Sequence, residues 1–215
     1  NADLRWEWYP NPGELLSIAG FYKHFDRPIE RVQVGTSGTS LVSFANAREA
    51  RNFGIELEAR KSLGFLTPRL DRLAFFGNAT FMDSDITLDT TGVASIQNAN
   101  RPMVGQAPYL VNAGLTWAAE RGVSATLLYN VVGRRIQSAS AQGLPDVYEI
   151  PRNVVDLSLR IPLRNGVSAK LDARNLLDAE FRAEQGPVVR EGYRVGRIFS
   201  VGFSWTPTLG VFVVP

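Results

Sequence analysis

Covalent chemistry needs a nucleophile, a base or a metal ligand, and this sequence is short of all three. It holds no Cys and a single histidine, His24, within Tyr22-Lys23-His24-Phe25-Asp26. Without thiols there is no disulfide framework, thiolate nucleophile or Cys-based zinc site. Any Ser-His constellation would have to run through His24 alone, and no neighbour in sequence marks a partner, so His24 reads as a surface or lumen residue. Asp83-Ser84-Asp85, continuing to Asp89, groups carboxylates in what reads as a loop, but lacks the spacing of a calcium site. Solvated turn residues are the expectation there. Asn78-Ala79-Thr80 matches a glycosylation triplet but falls in the middle of an expected strand. No catalytic residue, metal or cofactor is therefore expected. What remains is recognition: Arg101, Arg134, Arg135, Gln137, Arg190 and Tyr193, with Arg194, fall near one end of the expected elements, where Arg forks and a Tyr face suit an anion.

The elements that position these residues are strands. Val155, Leu157, Leu159, Ile161 and Leu163 alternate with Asp156, Ser158, Arg160 and Pro162, a period of two without a miss. Val195, Phe199, Val201, Phe203 and Trp205 continue the theme, with Arg197 as one charge on that face. Leu4, Trp6 and Trp8 oppose Asp3, Arg5 and Glu7, and Phe53, Ile55, Leu57 and Ala59 oppose Glu56, Glu58 and Arg60. Tyr109, Val111, Ala113, Leu115 and Trp117 form a fifth apolar series, and Leu171 and Ala173 alternate with Lys170, Asp172 and Arg174. Strands near residues 14–32 and 73–83 are assigned by position.

Connections alternate in length. Tight links follow Tyr9, Ser62, Ala118 and Leu163: Pro10-Asn11-Pro12-Gly13, a loop holding Pro68, Glu120-Arg121-Gly122 and Arg164-Asn165-Gly166. Longer Gly-, Ser-, Thr- and Asn-rich stretches follow Val34, Met82, Ile136 and Ala179, the asymmetry of periplasmic turns against extracellular loops. The chain thus runs up and down in about nine strands, as a barrel wall does. Trp6, Trp8, Trp117 and Trp205 all fall at the lower ends of descending strands, where an aromatic girdle meets a membrane interface. Strands of about 15 residues exceed the 9 to 11 that cross a bilayer and suit a wall rising above it. The charged face, Glu56, Glu58, Arg60, Asp156, Arg160, Lys170, Asp172 and Arg174, is expected to line a lumen that is wet or packed on protein.

Composition excludes other classes. Net charge is +2, from 23 Lys and Arg against 21 Asp and Glu, which is no nucleic-acid footprint. The opening residues Asn1-Ala2-Asp3-Leu4-Arg5-Trp6 do not combine a basic stretch, an apolar core and a small-residue cleavage site, so a mature segment or a fragment is expected. The nearest candidate for a helical span, the uncharged run Pro102 to Ala119, is broken by Pro108 and alternates, so no such span is expected.

Several phrases resemble the C-terminal barrel half of TonB-dependent receptors. They are Gly20-Phe21-Tyr22-Lys23 through Pro28-Ile29-Glu30, Ala50-Arg51-Asn52-Phe53-Gly54-Ile55-Glu56-Leu57-Glu58, and Gln106-Ala107-Pro108 leading to Val111-Asn112-Ala113-Gly114-Leu115. Asp172-Ala173-Arg174-Asn175-Leu176-Leu177-Asp178 and Gly192-Tyr193 through Phe203-Ser204-Trp205 complete the set. The resemblance implies a plugged barrel of about 22 strands in the bacterial outer membrane that admits a scarce nutrient, such as a ferric siderophore, with energy from TonB. Haem, cobalamin and glycans are other ligands it allows.

The expectation is an all-β, antiparallel, up-and-down transmembrane β-barrel wall. Residues 1–205 would form the C-terminal portion of the barrel and 206–215 a tail. Partners would be outer-membrane lipid and lipopolysaccharide, TonB through an N-terminal plug region absent from this chain, and the small nutrient. The family tends to end on an aromatic strand, here Phe203 or Trp205, past which Thr206 to Pro215 continue. Rival readings are a small complete outer-membrane barrel acting as a structural protein or passive pore, a barrel enzyme using His24, and a soluble ligand-binding barrel. Pairing of the first strand with the last would favour the small barrel.

Overall fold

The computed structural model describes residues 1–36, 39–88, 98–140 and 143–206. Nine strands form one antiparallel meander: β1 (Ala2–Trp8), β2 (Leu15–Asp26), β4 (Thr39–Ser62), β5 (Leu73–Leu88), β7 (Tyr109–Ala118), β8 (Ser124–Val132), β11 (Asn153–Pro162), β12 (Val167–Arg174) and β15 (Ile198–Trp205). Two further strands, β3 (Ile29–Thr36) and β6 (Asn100–Arg101), pair with β4 and β5 and bring the sheet to 11 strands. A second sheet of four has the order β14-β13-β10-β9, from β9 (Arg135–Ser138), β10 (Val147–Glu149), β13 (Glu180–Gln185) and β14 (Val188–Arg194). Among the described residues β1 and β15 are the two edges of the large sheet and do not pair, so the wall is open and not a small closed barrel.

Register explains the two faces. Paired residues share a face, and the row Trp6, Ile18, Leu57, Ala79, Val111, Val131 is apolar across six strands. One residue along, the row Glu7, Ser17, Glu58, Asn78, Asn112, Asn130 is polar across the same strands. Because the side-chain period is two, a slip of one residue would invert the wall, and so the pattern pins the register. The apolar face is not a core: Leu4 is 80% exposed, Trp6 59%, Phe203 72% and Trp205 69%. An exposed apolar band running across the whole sheet calls for an apolar solvent.

The short links sit together at one end. Asn165 and Gly166 carry φ 58 and 75, the two left-handed residues of a type I′ hairpin turn. Arg121 and Gly122, φ 60 and 78, do the same between β7 and β8. All four Trp lie on the apolar face near this end, with Trp205 paired to Val167 and donating its indole N–H to the Asn165 carbonyl at 3.2 Å.

At the other end the structure departs from the sequence reading. Much of what reads as loop is strand. β3 and β4 continue as a ladder to the Thr36–Thr39 pair, and Asp83, Ser84 and Asp85 lie inside β5. Above the apolar band one face packs on a small buried cluster, Ala47, Ala50, Ile86 and Leu88, set among charged and polar neighbours, so the plain apolar-polar alternation is lost while the backbone ladder persists. Asp85 faces Arg51 across the β4–β5 pair at 3.6 Å and is no loop carboxylate. Asp89 and the tail beyond Thr206 lie outside the described residues.

A crease separates the two sheets. The strand pairs β8 and β9, β10 and β11, β12 and β13, and β14 and β15 are each one path broken at Gly133-Arg134, Ile150-Pro151-Arg152, Asn175 to Ala179 and Val195-Gly196-Arg197. Gly196 at φ 87 ends the alternation, so Arg197 is not the outward charge that the sequence suggests. Its Nε instead donates to the Leu176 carbonyl at 2.8 Å. Asn175, at φ 54, stitches the crease. Its side chain donates to the Gly196 carbonyl at 2.8 Å and accepts from the Ala179 N–H at 2.9 Å, while its own N–H donates to Asp156 at 2.8 Å.

Candidate functional site

All eight expected lining residues fall on the polar face. Glu56, Glu58 and Arg60 alternate along β4, and Asp156 and Arg160 along β11. Lys170, Asp172 and Arg174 follow on β12, with Lys170 paired to Arg160 and Asp172 to Ser158. They are not isolated. Arg5 bridges Glu7 at 2.5 Å and Glu58 at 3.0 Å, and Glu58 also takes Arg60 at 3.2 Å. Lys170 reaches Asp172 at 3.2 Å. These pairs are solvent-exposed, worth about 0–1 kcal/mol each, so their use is to hold a charged surface in place. Arg160 and Lys170 stand side by side as like charges, with Asp172 offsetting Lys170.

Sequence reasoning missed an amide ladder on the same face. Asn130 donates to Asn112 at 2.6 Å and Asn112 to Asn78 at 2.8 Å, directly across three strands. Thr116 with Thr126 at 3.1 Å and Ser168 with Ser204 at 2.7 Å repeat the device lower down. The signal was present as one polar residue at every second position, but which residues meet depends on register across turns of different length.

The six rim residues separate. Arg135 is held by Glu149 at 2.8 Å, Gln137 contacts Glu191 at 3.5 Å, and Tyr193 stacks on Phe181 with ring centroids 4.8 Å apart. Pairing of Arg135 with Glu149, Glu149 with Ala183 and Ala183 with Glu191 puts these three on one face of the four-stranded sheet. Arg134 lies over the Tyr148 ring, 3.9 Å from its centroid. Arg190 is exposed at the bulge opposite Ala183 and Glu184. Arg101 differs from its expected place at the rim. It is 5% exposed and its Nη2 is 3.0 Å from Glu30, while Nη1 donates to the Pro102 carbonyl at 3.1 Å. A guanidinium turned inward on a buried carboxylate is not offered to an outside anion; it pins β6 to the wall beside Ala47, Ala50, Ile86 and Leu88.

His24 stands opposite Arg51 in the β2–β4 ladder and makes no hydrogen bond among the described residues. No group of three His, Asp or Glu is placed to hold a metal among the described residues. No helix of the described residues is long and apolar enough to cross a membrane, which says nothing of strands. At the short-turn end, Glu14 accepts from Lys61 Nζ at 2.6 Å, Asn11 Nδ2 at 2.7 Å and the Ser62 N–H at 3.2 Å. These donors, Lys61 first, hold its carboxyl below the usual carboxylate range.

Three comparisons bear on this geometry. The family described as TonB dependent receptor-like, beta-barrel matches residues 1–176. Among solved structures, a mutant of the ferric enterobactin receptor PfeA from Pseudomonas aeruginosa, in complex with enterobactin, is 18% identical with a TM-score of 0.63, over 94% of this chain and 30% of that one. The ferric-catecholate import receptor Fiu from E. coli K12 is 16% identical with a TM-score of 0.60, over 84% of this chain and 23% of that one. The ferric yersiniabactin uptake receptor FyuA from Yersinia pestis is 13% identical with a TM-score of 0.53, over 94% and 36%. The chain therefore spans about a third of those structures or less, and the likeness is one of fold. No curated protein matches the sequence. With the matched family covering most of its length, and an open antiparallel wall apolar on one face and polar on the other, the chain belongs to the TonB-dependent receptor β-barrel family, a family of bacterial outer-membrane receptors.

Proposed function

We propose that this chain is barrel wall of an outer-membrane receptor that takes up a scarce nutrient such as a ferric siderophore, driven by TonB acting through a plug region. The observation that carries the reading is the two-faced meander: an apolar row and a polar row one residue apart across the same six strands. Lipid meets the first face, with lipopolysaccharide at its outer margin. The second is the lumen, lined by Glu56, Glu58, Arg60, Asp156, Arg160, Lys170, Asp172 and Arg174 together with the Asn78, Asn112 and Asn130 ladder, wet or packed against the plug. At the outer rim Arg134, Arg135, Gln137, Arg190 and Tyr193 supply the forks and ring faces that suit an anionic chelate. Arg101 is left out, since Glu30 already occupies it. Nothing in this reading asks the wall to make or break bonds.

Uptake tests it. Cells lacking the gene are compared with wild type for accumulation of radio-iron delivered on a panel of siderophores, with and without TonB. Loss of at least one chelate on deletion, and the same loss without TonB, is the expected outcome. Unchanged accumulation of every chelate, with haem, cobalamin and glycan uptake also intact, would sink the reading.

A further inference from the structure

One connection at the short-turn end is unlike its neighbours. The links between β1 and β2, β7 and β8, and β11 and β12 take 6, 5 and 4 residues, whereas β4 and β5 are joined by the 10 residues from Leu63 to Arg72, two turns of 3-10 helix. This link carries Phe65 and Leu66, 65% and 62% exposed. Closing a hairpin asks for neither the length nor the two apolar side chains. Their placement is set from the strand. Lys61 pairs with Phe75, in the same register row as Leu115, Leu127 and Leu157, and so stands on the apolar face at its lower margin. Its ammonium lies 5.3 Å from the centre of the Phe65 ring while bonding Glu14. Phe65 thus stands beside Lys61 at the lower margin of the wall, where it lines a groove with Glu14 and Phe75 and, from the polar face, Arg60 and Phe76. Arg69, on the same link, is exposed and has no ion pair among the described residues.

We propose that the Leu63–Arg72 link is a membrane-interface anchor whose Phe65 and Leu66 enter the phospholipid leaflet at the short-turn end, with Arg69 meeting lipid phosphate. The proposal rests on reading the apolar face as lipid-facing. Phospholipid is favoured over a protein partner because the link adjoins the lower margin of the exposed apolar band through Lys61 and Phe75, and because two exposed apolar side chains with a nearby cation match the mixed chemistry of a membrane interface.

The chain has no Cys, so a single introduced thiol labels cleanly. Leu66→Cys, Leu57→Cys on the band and Asn165→Cys in a short polar turn are each given a nitroxide. The protein is reconstituted in phosphatidylethanolamine and phosphatidylglycerol vesicles. Power saturation then compares collision with dissolved oxygen, which concentrates in lipid, and with a water-soluble nickel chelate. The Leu66 site is expected to favour oxygen over the chelate, between the values at Leu57 and Asn165. If Leu57 favours oxygen but Leu66 meets nickel as freely as Asn165, or is shielded from both reagents, the anchor is overturned and the wall reading stands. If Leu57 itself sides with nickel, the wall reading falls and the anchor with it.

Discussion

Two glycines here are required by the crowding of their cross-strand neighbours. Gly114 in β7 lies against the Phe76 ring, with which an added Cβ would overlap, while at Gly54 in β4 a Cβ would meet the Phe81 carbonyl and Met82 first and the tip of the Phe21 ring beside them. Gly114 with Phe76 and Gly54 with Phe21 are direct cross-strand partners on the polar face. The Phe76 ring covers the bare backbone at Gly114 and is kept on the wall by it. Gly114→Val is expected to lower stability by about 1–3 kcal/mol through overpacking, and Phe76→Ala in the same background to restore much of it. Urea unfolding in detergent micelles measures both, and equal loss in single and double variants would refute the contact. Glu14 makes the second residue-scale prediction. Its folded pKa is depressed below the ordinary 4.5, so the stability it contributes is complete above about that value and fades as pH falls through the lower folded one. Acid unfolding of Glu14→Gln should therefore lack part of the pH dependence seen in the parent below 4.5. Parallel curves would mean that the Lys61 and Asn11 bonds do not favour the ionised form.

At the scale of elements, the crease is the feature that no period of two announces. Asn175 makes it possible by accepting a left-handed φ that most residues resist at about 1–2 kcal/mol, and by spending its amide on two backbone groups. Asn175→Ala should cost more than Asn175→Gly, since glycine keeps the φ and loses only the side-chain bonds, about 1 kcal/mol each. Hydrogen exchange at the Ala179 amide reads the local effect, and protection in both variants equal to that in the parent would show that the stitch holds nothing. The phrase Asn175-Leu176-Leu177-Asp178 was visible in the sequence as a family likeness. Its mechanical role was not, because its partners Gly196 and Asp156 lie 21 and 19 residues away and meet it only once β11, β12 and β15 are paired.

For the whole molecule, face is everything. Leu157 and Ser158 are neighbours on β11, one on the apolar face and one on the polar. Leu157→Arg should destabilise the wall in a bilayer by about 2–4 kcal/mol if it lies near the midplane, and Ser158→Arg by far less, as judged by folding into lipid vesicles in urea. Similar costs would mean that both faces meet the same solvent. Alternation along the strands and the alternating lengths of the links together predicted the nine-strand meander, its two faces and the Trp-bearing end, with the strands near 14–32 and 73–83 placed by position, because these are local consequences of a side-chain period of two and of turn chemistry at Asn165-Gly166 and Arg121-Gly122. The link after Ser62, expected to be tight, runs to 10 residues. The strands above the apolar band, the burial of Arg101 on Glu30 and the amide ladder were decided by tertiary structure. There one face folds onto a small buried cluster of mixed polar and apolar residues that follows no period of two, and a contact such as Arg101 with Glu30, 71 residues apart, exists only after the strands between them have taken their register.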